Sequence, residues 1–492
     1  MTQENAHVLA DMPADEFRRH GHQVVDWIAD YLSHSERYPV LARVRPGDIR
    51  AALPSTPPLS GESFDAVLAD LDRVLMPGMT HWNSPNFFAY FAISASAPGV
   101  LADFLSSALN QQAMLWRTSP SATELEEVVM GWLRQLLGLP PQFEGVVYDT
   151  ASVSSLHALA AAREAAVPQV RDEGLSGRPA IPKLRVYCSE QAHSSIDKAV
   201  ILLGLGHSAL RKIPVDGDFR MKPKALDLAI REDRAAGGQP VAVVATVGTT
   251  STTSIDPVPA IADICEREGL WLHVDAAYGG AAALVAGHEH VLAGCDRADS
   301  LVMNPHKWLF TPFDFSAFFC RRMDVLRAAF SLVPEYLRTS DPTGIRNLMD
   351  TGVQLGRRFR ALKLWMIIRY FGADGLRDRI AEHMRLASRL AAWVDADPDF
   401  ERLAPTPMSV VCFRAKPAGR AWSASELDDL NAQLLERVNA TGEAFLSHTK
   451  LHGRFTLRMA IGHLRTTEAH VRHAWELLRA EAAQLADGAG RA

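Results

Sequence analysis

Apolar residues recur at helical spacing near the start of the chain and at strand spacing further on. Over residues 14–33, Phe17, Val24, Ile28 and Tyr31 fall near one face of a helix, with Arg18, Arg19, Asp26 and Asp30 off it. Pro39, Pro46, Pro54, Pro57 and Pro58 follow. That spacing forbids a long helix and predicts an extended wrap. From about residue 96 short apolar runs alternate with helix-period segments. Residues 145–148, 185–188, 241–246, 271–274, 301–303 and 316–320 read as strands, and 124–137, 152–163 and 194–205 as helices. The alternation predicts an α/β fold, with a mostly parallel central sheet covered by helices on both faces. Ligands of such sheets bind beyond the carboxyl ends of the strands. After about residue 375, long Ala/Leu/Arg/Glu-rich helices (376–394, 425–438, 468–485) frame short strands at 408–413 and 455–460. Three parts are expected: residues 1–95, a helical and extended segment that wraps another surface such as a partner subunit; 96–374, the large α/β domain; and 375–492, a small α+β domain.

Composition narrows the function classes. The 492 residues are 48% hydrophobic and 22% charged, with a net charge of -6. A large ordinary core follows, and neither nucleic acid nor an anionic membrane is an expected partner. No apolar run reaches the roughly 18 residues of a membrane span. Residues 1–5 lack the features of a signal peptide. Cys188, Cys265, Cys295, Cys320 and Cys412 are scattered and form no C-x-x-C pair. Core thiols in a reducing cytoplasm are expected, without a disulfide framework or metal site.

The stretch Asn304-Pro305-His306-Lys307-Trp308 carries the sharpest chemistry. Lys307 lies between the apolar runs Leu301-Val302-Met303 and Trp308-Leu309-Phe310. Burial there lowers an amine's pKa and makes it a nucleophile toward carbonyls. Alone, it reads more readily as a lysine on a solvated turn. Upstream, Asp275 ends the apolar run from Trp271. A helix cap is the ordinary role for such an Asp. With Lys307 it becomes what pyridoxal phosphate requires, an imine partner and a counter-charge for the ring nitrogen. Thr150-Ala151-Ser152 follows a strand and opens a helix, which suits a phosphate or a plain cap. His193 follows another strand, placed to stack on a flat ring or to serve the structure. Thr246 and Asn304 end apolar strands, and His306 adjoins the lysine. Trp82, Phe87, Phe88, Tyr90 and Phe91 form an aromatic cluster, either core or a pocket for an aromatic substrate.

These residues resemble the group II pyridoxal-phosphate-dependent amino-acid decarboxylases, in their aromatic-L-amino-acid branch. The resemblance runs nearly end to end. It rests on His81-Trp82-Asn83-Ser84-Pro85-Asn86-Phe87-Phe88-Ala89-Tyr90-Phe91, Ser119-Pro120-Ser121-Ala122-Thr123-Glu124-Leu125-Glu126, Thr246-Val247-Gly248-Thr249-Thr250, His273-Val274-Asp275-Ala276-Ala277-Tyr278-Gly279-Gly280, the Lys307 stretch and Gly356-Arg357-Arg358-Phe359-Arg360. It implies a fold-type I transferase-like architecture and a homodimer with active sites at the subunit interface. It implies a carboxy-lyase that acts through a Lys307 aldimine and a quinonoid, releasing an arylalkylamine and CO2. Asp275 would meet the ring nitrogen, Ala277 and His193 the two ring faces, and Thr246 the ring hydroxyl. Thr150, Ala151, Ser152, Asn304 and His306 would hold the phosphate. Trp82, Tyr90, Phe91 and, from the partner, Met114 and Trp116 would line the substrate side. The expected catalytic set is Lys307, His193 and Asp275.

Three departures matter. Family decarboxylases carry a loop Tyr, a proton donor, eight residues before the Gly-Arg-Arg motif; here that position is Leu348. In plant relatives an apolar residue there accompanies oxidative deamination to an aldehyde, so an aromatic aldehyde synthase is the alternative. His193, which aldehyde-forming insect relatives lose, is retained. Tyr336, His193 or water could replace the missing donor. Asp149 stands where eukaryotic members have Gly, an awkward charge beside a phosphate unless it points away or caps the helix. Ala92 and Ile93 replace a Pro-Thr pair, which favours phenylalanine, tryptophan or tyrosine over dihydroxyphenylalanine.

Overall fold

The computed structural model describes residues 11–167, 169–332, 345–419 and 421–489. A seven-stranded sheet dominates it, with β1 (Glu144–Tyr148), β2 (Leu184–Ser189), β3 (Leu210–Ile213), β4 (Gln239–Thr246), β5 (Trp271–Asp275), β6 (Ser300–Met303) and β7 (Ser316–Cys320). Their order is β1-β7-β6-β5-β4-β2-β3. Only β7 runs against the rest, pairing antiparallel with both β6 and β1. The mostly parallel sheet read from the sequence is present. Strand β3, too short and too polar to stand out in the sequence, extends its edge.

The helices that concern the site are α1 (Ala14–His34), α2 (Ala97–Leu109), α3 (Pro120–Leu136), α4 (Ala151–Ala166), α5 (Ser195–Leu202), α6 (Pro223–Ala235), α7 (Val258–Glu268), α8 (Met323–Phe330), α9 (Ala361–Ala396), α10 (Ala424–Thr441) and α11 (Glu468–Ala489). The central strand β4 explains the layering. Val243 and Ala245 enter the core shared with α3, α6 and α7, while Ala242 and Val244 enter the core shared with α4, α5 and α8. Side chains of a strand alternate faces, so a strand buried on both reads as an unbroken apolar run. Ala158, Ala160, Ala161 and Ala162 on α4 are buried, and their small size brings that helix close to the sheet.

The second sheet, β8 (Phe400–Arg402), β9 (Val410–Ala415), β10 (Ser447–Leu451) and β11 (Arg454–Ala460), is antiparallel in the order β10-β11-β9-β8. It shares a core with α10 and α11. Helix α9 serves both cores. It breaks at Gly372 (φ 68°, ψ 169°), and its side chains pass from the large core at Met384 to the small one at Leu386.

Among the described residues the outer side of β1 has no neighbouring strand, so its backbone needs other partners. Glu126 of α3 accepts the Val147 N–H (2.9 Å), and Arg357 donates to the Val147 carbonyl (2.7 Å). The two side chains also pair with each other at 2.8 Å and are both buried. The Gly-Arg-Arg motif therefore has a structural role, because it clamps the strand that leads into Thr150. Removing one partner from such a pair leaves a buried charge alone, at a cost of about 3–5 kcal/mol. Arg357→Met should therefore lower the urea midpoint of the large domain, and an unchanged midpoint would count against the clamp.

Candidate active site

Five strand ends converge on one cavity of about 200 Å³, lined by Phe91, Thr150, Ala151, Ser152, His193, Thr246, Gly248, Thr250, Asp275, Ala277, Tyr278, Asn304, His306 and Lys307. Every residue assigned to the cofactor from the sequence is in this wall. Lys307 reaches it because Pro305–Trp308 forms a single helical turn directly after β6, with the Lys307 N–H bonded to the Asn304 carbonyl (2.9 Å). Its amine is enclosed by protein, and what surface the residue keeps faces the cavity. Burial pushes its pKa below the ordinary lysine value; Arg458 pushes the same way and Asp275 opposes them. The Nζ atom lies 5.1 Å from the centre of the Phe91 ring.

Asp275 ends β5, and its Oδ1 accepts the Ala277 N–H (3.1 Å). The turns beyond β4 and β5 pass so closely that both require glycine. A Cβ on Gly248 (φ +88°) would meet the Gly279 backbone at 2.9 Å. One on Gly279 would meet the Val247 carbonyl oxygen at 2.5 Å. Thr246 is fixed by Asp256, which accepts its N–H (2.8 Å) and whose own pKa burial raises to about 6. The Thr246 hydroxyl is buried and has no partner among the described residues.

The histidines have defined proton positions. The Ser195 N–H donates to His193 Nδ1 (3.2 Å), so the proton of the neutral ring sits on Nε2. Burial lowers its pKa, which keeps the ring neutral. The Phe315 N–H likewise donates to His306 Nδ1 (2.9 Å), and burial drives that group down to about 3. Its Nε2–H is therefore a fixed donor. Asn304 Oδ1 accepts from Ser316 Oγ (2.7 Å), which leaves its NH2 without a partner among the described residues. Thr150 is the N-cap of α4 and makes no side-chain cap bond, so the first N–H groups of that helix remain available. A buried amine, a carboxyl group, an orphaned hydroxyl and a set of anion-directed donors suit pyridoxal phosphate.

The expected substrate residues divide. Phe91 lines the cavity, stacked on Tyr278 at 3.8 Å. Trp82 stacks on Phe87 (4.3 Å) and Tyr90 (5.8 Å), outside the cavity wall. Met114 and Trp116 lie beyond α2: the Met114 carbonyl accepts the Met349 N–H (3.1 Å), and Trp116 Nε1 donates to Glu124 (2.7 Å). Neither lines the cavity of its own chain. Leu348 is buried in the turn Leu348–Thr351, also away from that cavity. Tyr336 lies outside the described residues. Asp149 neither points away from Thr150 nor stays free: its Oδ1 accepts both the Thr150 N–H and, at 3.1 Å, the Thr150 hydroxyl.

Arg458 was not legible as a site residue. It is 3% exposed, its guanidinium lies 4.7 Å from the centre of the Phe91 ring, and one nitrogen has no partner among the described residues. The signal in the sequence was an Arg inside the apolar strand Phe455-Thr456-Leu457-Arg458-Met459-Ala460.

The sequence model of the pyridoxal-dependent decarboxylase conserved domain matches residues 46–416. The chain belongs to that family, and its cofactor is pyridoxal phosphate. It is 42% identical to the aromatic-L-amino-acid decarboxylase of Sus scrofa, over 96% of this chain and 98% of the relative. It is 39% identical to the phenylacetaldehyde synthase of Arabidopsis thaliana, over 97% and 98%. The structure of Oryza sativa TDC with PLP and tryptamine superposes with a TM-score of 0.93 at 38% identity, covering 97% of this chain and 99% of that one.

The lowered pKa of Lys307 sets a direction for its reactivity: the neutral amine should appear at a lower pH than on surface lysines. Pyridoxal followed by borohydride should label Lys307 first in cofactor-free protein near neutral pH. Peptide mapping that finds the label spread evenly over the lysines would contradict this.

Proposed function

We propose that this protein decarboxylates an aromatic L-amino acid to the arylalkylamine and CO2, with pyridoxal phosphate bound through Lys307. The observation that carries the reading is the enclosed Lys307 amine, held beside Asp275 and over an aromatic ring at the carboxyl ends of the strands. Bound there, the cofactor supplies the electron sink for cleavage at the substrate Cα. The chain's own residues do the rest. Asp275 presents a negative charge to the ring nitrogen. Ala277 and the neutral His193 ring flank the two faces. Thr246 offers its unpartnered hydroxyl to the ring hydroxyl. The α4 N-terminus at Thr150, Ala151 and Ser152, with His306 Nε2–H and the Asn304 amide, takes the phosphate. Phe91 gives the substrate ring an apolar surface and, with Trp82 and Tyr90, an aromatic approach. The phosphate-directed donors and the Phe91 surface would together orient the substrate, and that orientation would decide which bond at its Cα is cleaved. We assign the return of a proton to Cα to His193, which keeps its proton on the nitrogen that Ser195 does not engage.

Product branching is a second reading, favoured by one observation. Leu348 has no proton to give and is buried. An aldehyde synthase would couple decarboxylation to oxidative deamination, consuming O2 and releasing aldehyde, ammonia and peroxide. Amine in step with CO2 is the expected outcome for tryptophan, tyrosine or phenylalanine. Stoichiometric aldehyde and peroxide without amine would move the protein to the other branch. Lys307→Ala should abolish turnover and the imine absorbance together; retained turnover would sink the whole reading.

We also infer a homodimer. The apolar face read on α1 is only partly covered by the described residues: Tyr31 packs against Tyr38 and His81, but Phe17 is 56% exposed, and α1 and α2 border a groove lined by Val24, Val25, Ile28, Val100, Leu101 and Phe104. A second copy seated on this face would bury it and bring Met114 and Trp116 to the neighbouring cavity. Leu101→Asp with Phe104→Asp should yield monomers by light scattering and depress activity while Lys307 is untouched. A dimer that survives both changes would exclude this face. No described helix is long and apolar enough to cross a membrane. Five buried, unpaired cysteines suit a reducing compartment, and we place the protein in the cytoplasm.

A further inference from the structure

Asp149 is the one acidic side chain bonded to the turn that would receive the cofactor's phosphate, among the described residues. Its Oδ1 accepts the Thr150 N–H (2.5 Å) and the Thr150 hydroxyl (3.1 Å). Its Oδ2 accepts from Gln354 Nε2 (3.1 Å), which pins the carboxyl group in place. No lysine or arginine pairs with it among the described residues. The nearby His157 does not offset it, because burial holds that ring neutral with a pKa of about 4. Both donors of Thr150 are thus committed to an anion that belongs to the protein.

We propose that Asp149 acts as an internal competitor for the phosphate end of the cofactor, and so sets how weakly the protein retains it. The inference rests on the cofactor reading above. Two physical effects act together. A phosphate entering the α4 N-terminus must draw the Thr150 hydroxyl away from Asp149 or forgo that bond. It must also approach a fixed negative charge in surroundings less polar than water, where charges interact more strongly. The helix N-terminus and His306 still favour the anion. Asp149 subtracts from that attraction and does not abolish it. Because the carboxyl group is fixed through Gln354, the effect belongs to the resting fold and needs no rearrangement.

The test uses the full chain, freed of cofactor with hydroxylamine and titrated with pyridoxal phosphate or with pyridoxal, which lacks the phosphate. Imine absorbance and protein fluorescence report binding. Asp149→Asn keeps an acceptor for Thr150 and removes the charge; Asp149→Gly removes both. The Kd for pyridoxal phosphate should fall by roughly five- to ten-fold in Asp149→Asn and at least as far in Asp149→Gly. The Kd for pyridoxal should stay the same in both. Inorganic phosphate should compete with pyridoxal phosphate more effectively in the variants than in the unaltered protein. Melting curves establish that both variants fold. An unchanged or weaker hold on pyridoxal phosphate would overturn the proposal, because Asp149 would then be organising the turn. Equal tightening of both ligands would overturn it too, because the effect would lie at the ring. An unaltered protein that forms no imine band would defeat the cofactor reading itself, and this inference with it.

Discussion

The rest of the site depends on an amine enclosed by protein, where burial disfavours its protonated form. Burying an ammonium ion costs several kcal/mol, and the easier course is to lower its pKa and release the proton. Each tenfold change in that proton equilibrium takes about 1.4 kcal/mol, so the surroundings of Lys307 must supply a sustained bias. Enclosure is the largest source of it, and Arg458, which also lies against the Phe91 ring, adds to it. Asp275 pulls the other way, which keeps the amine within reach of its ordinary behaviour. His193 and His306 are themselves held neutral by burial. They therefore act as dipoles with known directions, since a backbone N–H fixes the acceptor nitrogen of each ring.

That chemistry is possible only because the sheet delivers its parts to one edge. Six of the seven strands run in the same direction, so Thr150, His193, Thr246, Asp275 and Asn304 all emerge on the same side. The reversed strand β7 contributes from its start instead, where Ser316 fixes the Asn304 amide. The turns then have to pack without side chains in the way, which Gly248 and Gly279 permit. The stack of Phe91, Tyr278 and Trp308 carries the wall of the cavity toward α9, where Trp308 Nε1 donates to His383 (2.9 Å). The small domain thus supports the cavity through Arg458 and α9.

What the sequence revealed was the residue that breaks an apolar run. Lys307, Asp275, Thr246 and Asn304 each interrupt or end one, and a parallel sheet turns that position into a ligand site. Partners chosen by the fold were hidden. Glu126 and Arg357 are 231 residues apart and meet only because an edge strand needed its backbone covered. Arg458 lies on a strand of the other sheet, so no spacing rule connects it with Lys307. Strands β3, β8 and β10 are short and partly polar, and pairing with neighbours creates them more than local preference does. The face of α1 was legible as apolar, and the described residues cover only part of it.

Charge separates the phosphate end of the cavity from the ring end. Two basic side chains lie against the Phe91 ring, Lys307 in the wall and Arg458 buried outside it, with Asp275 as the carboxyl group that acts on Lys307. This half of the cavity therefore leans positive whenever Lys307 carries its proton, and it draws anions. At the other end the attraction comes from backbone dipoles at the α4 N-terminus and from a neutral His306, and these fall off over the first helical turn. A single carboxyl group there weighs more than it would beside Lys307, because no mobile cation answers it among the described residues. The same residue type thus has opposite consequences at the two ends. Asp275 offsets the positive lean of its own end, whereas Asp149 stands against an anion at the end that would admit one.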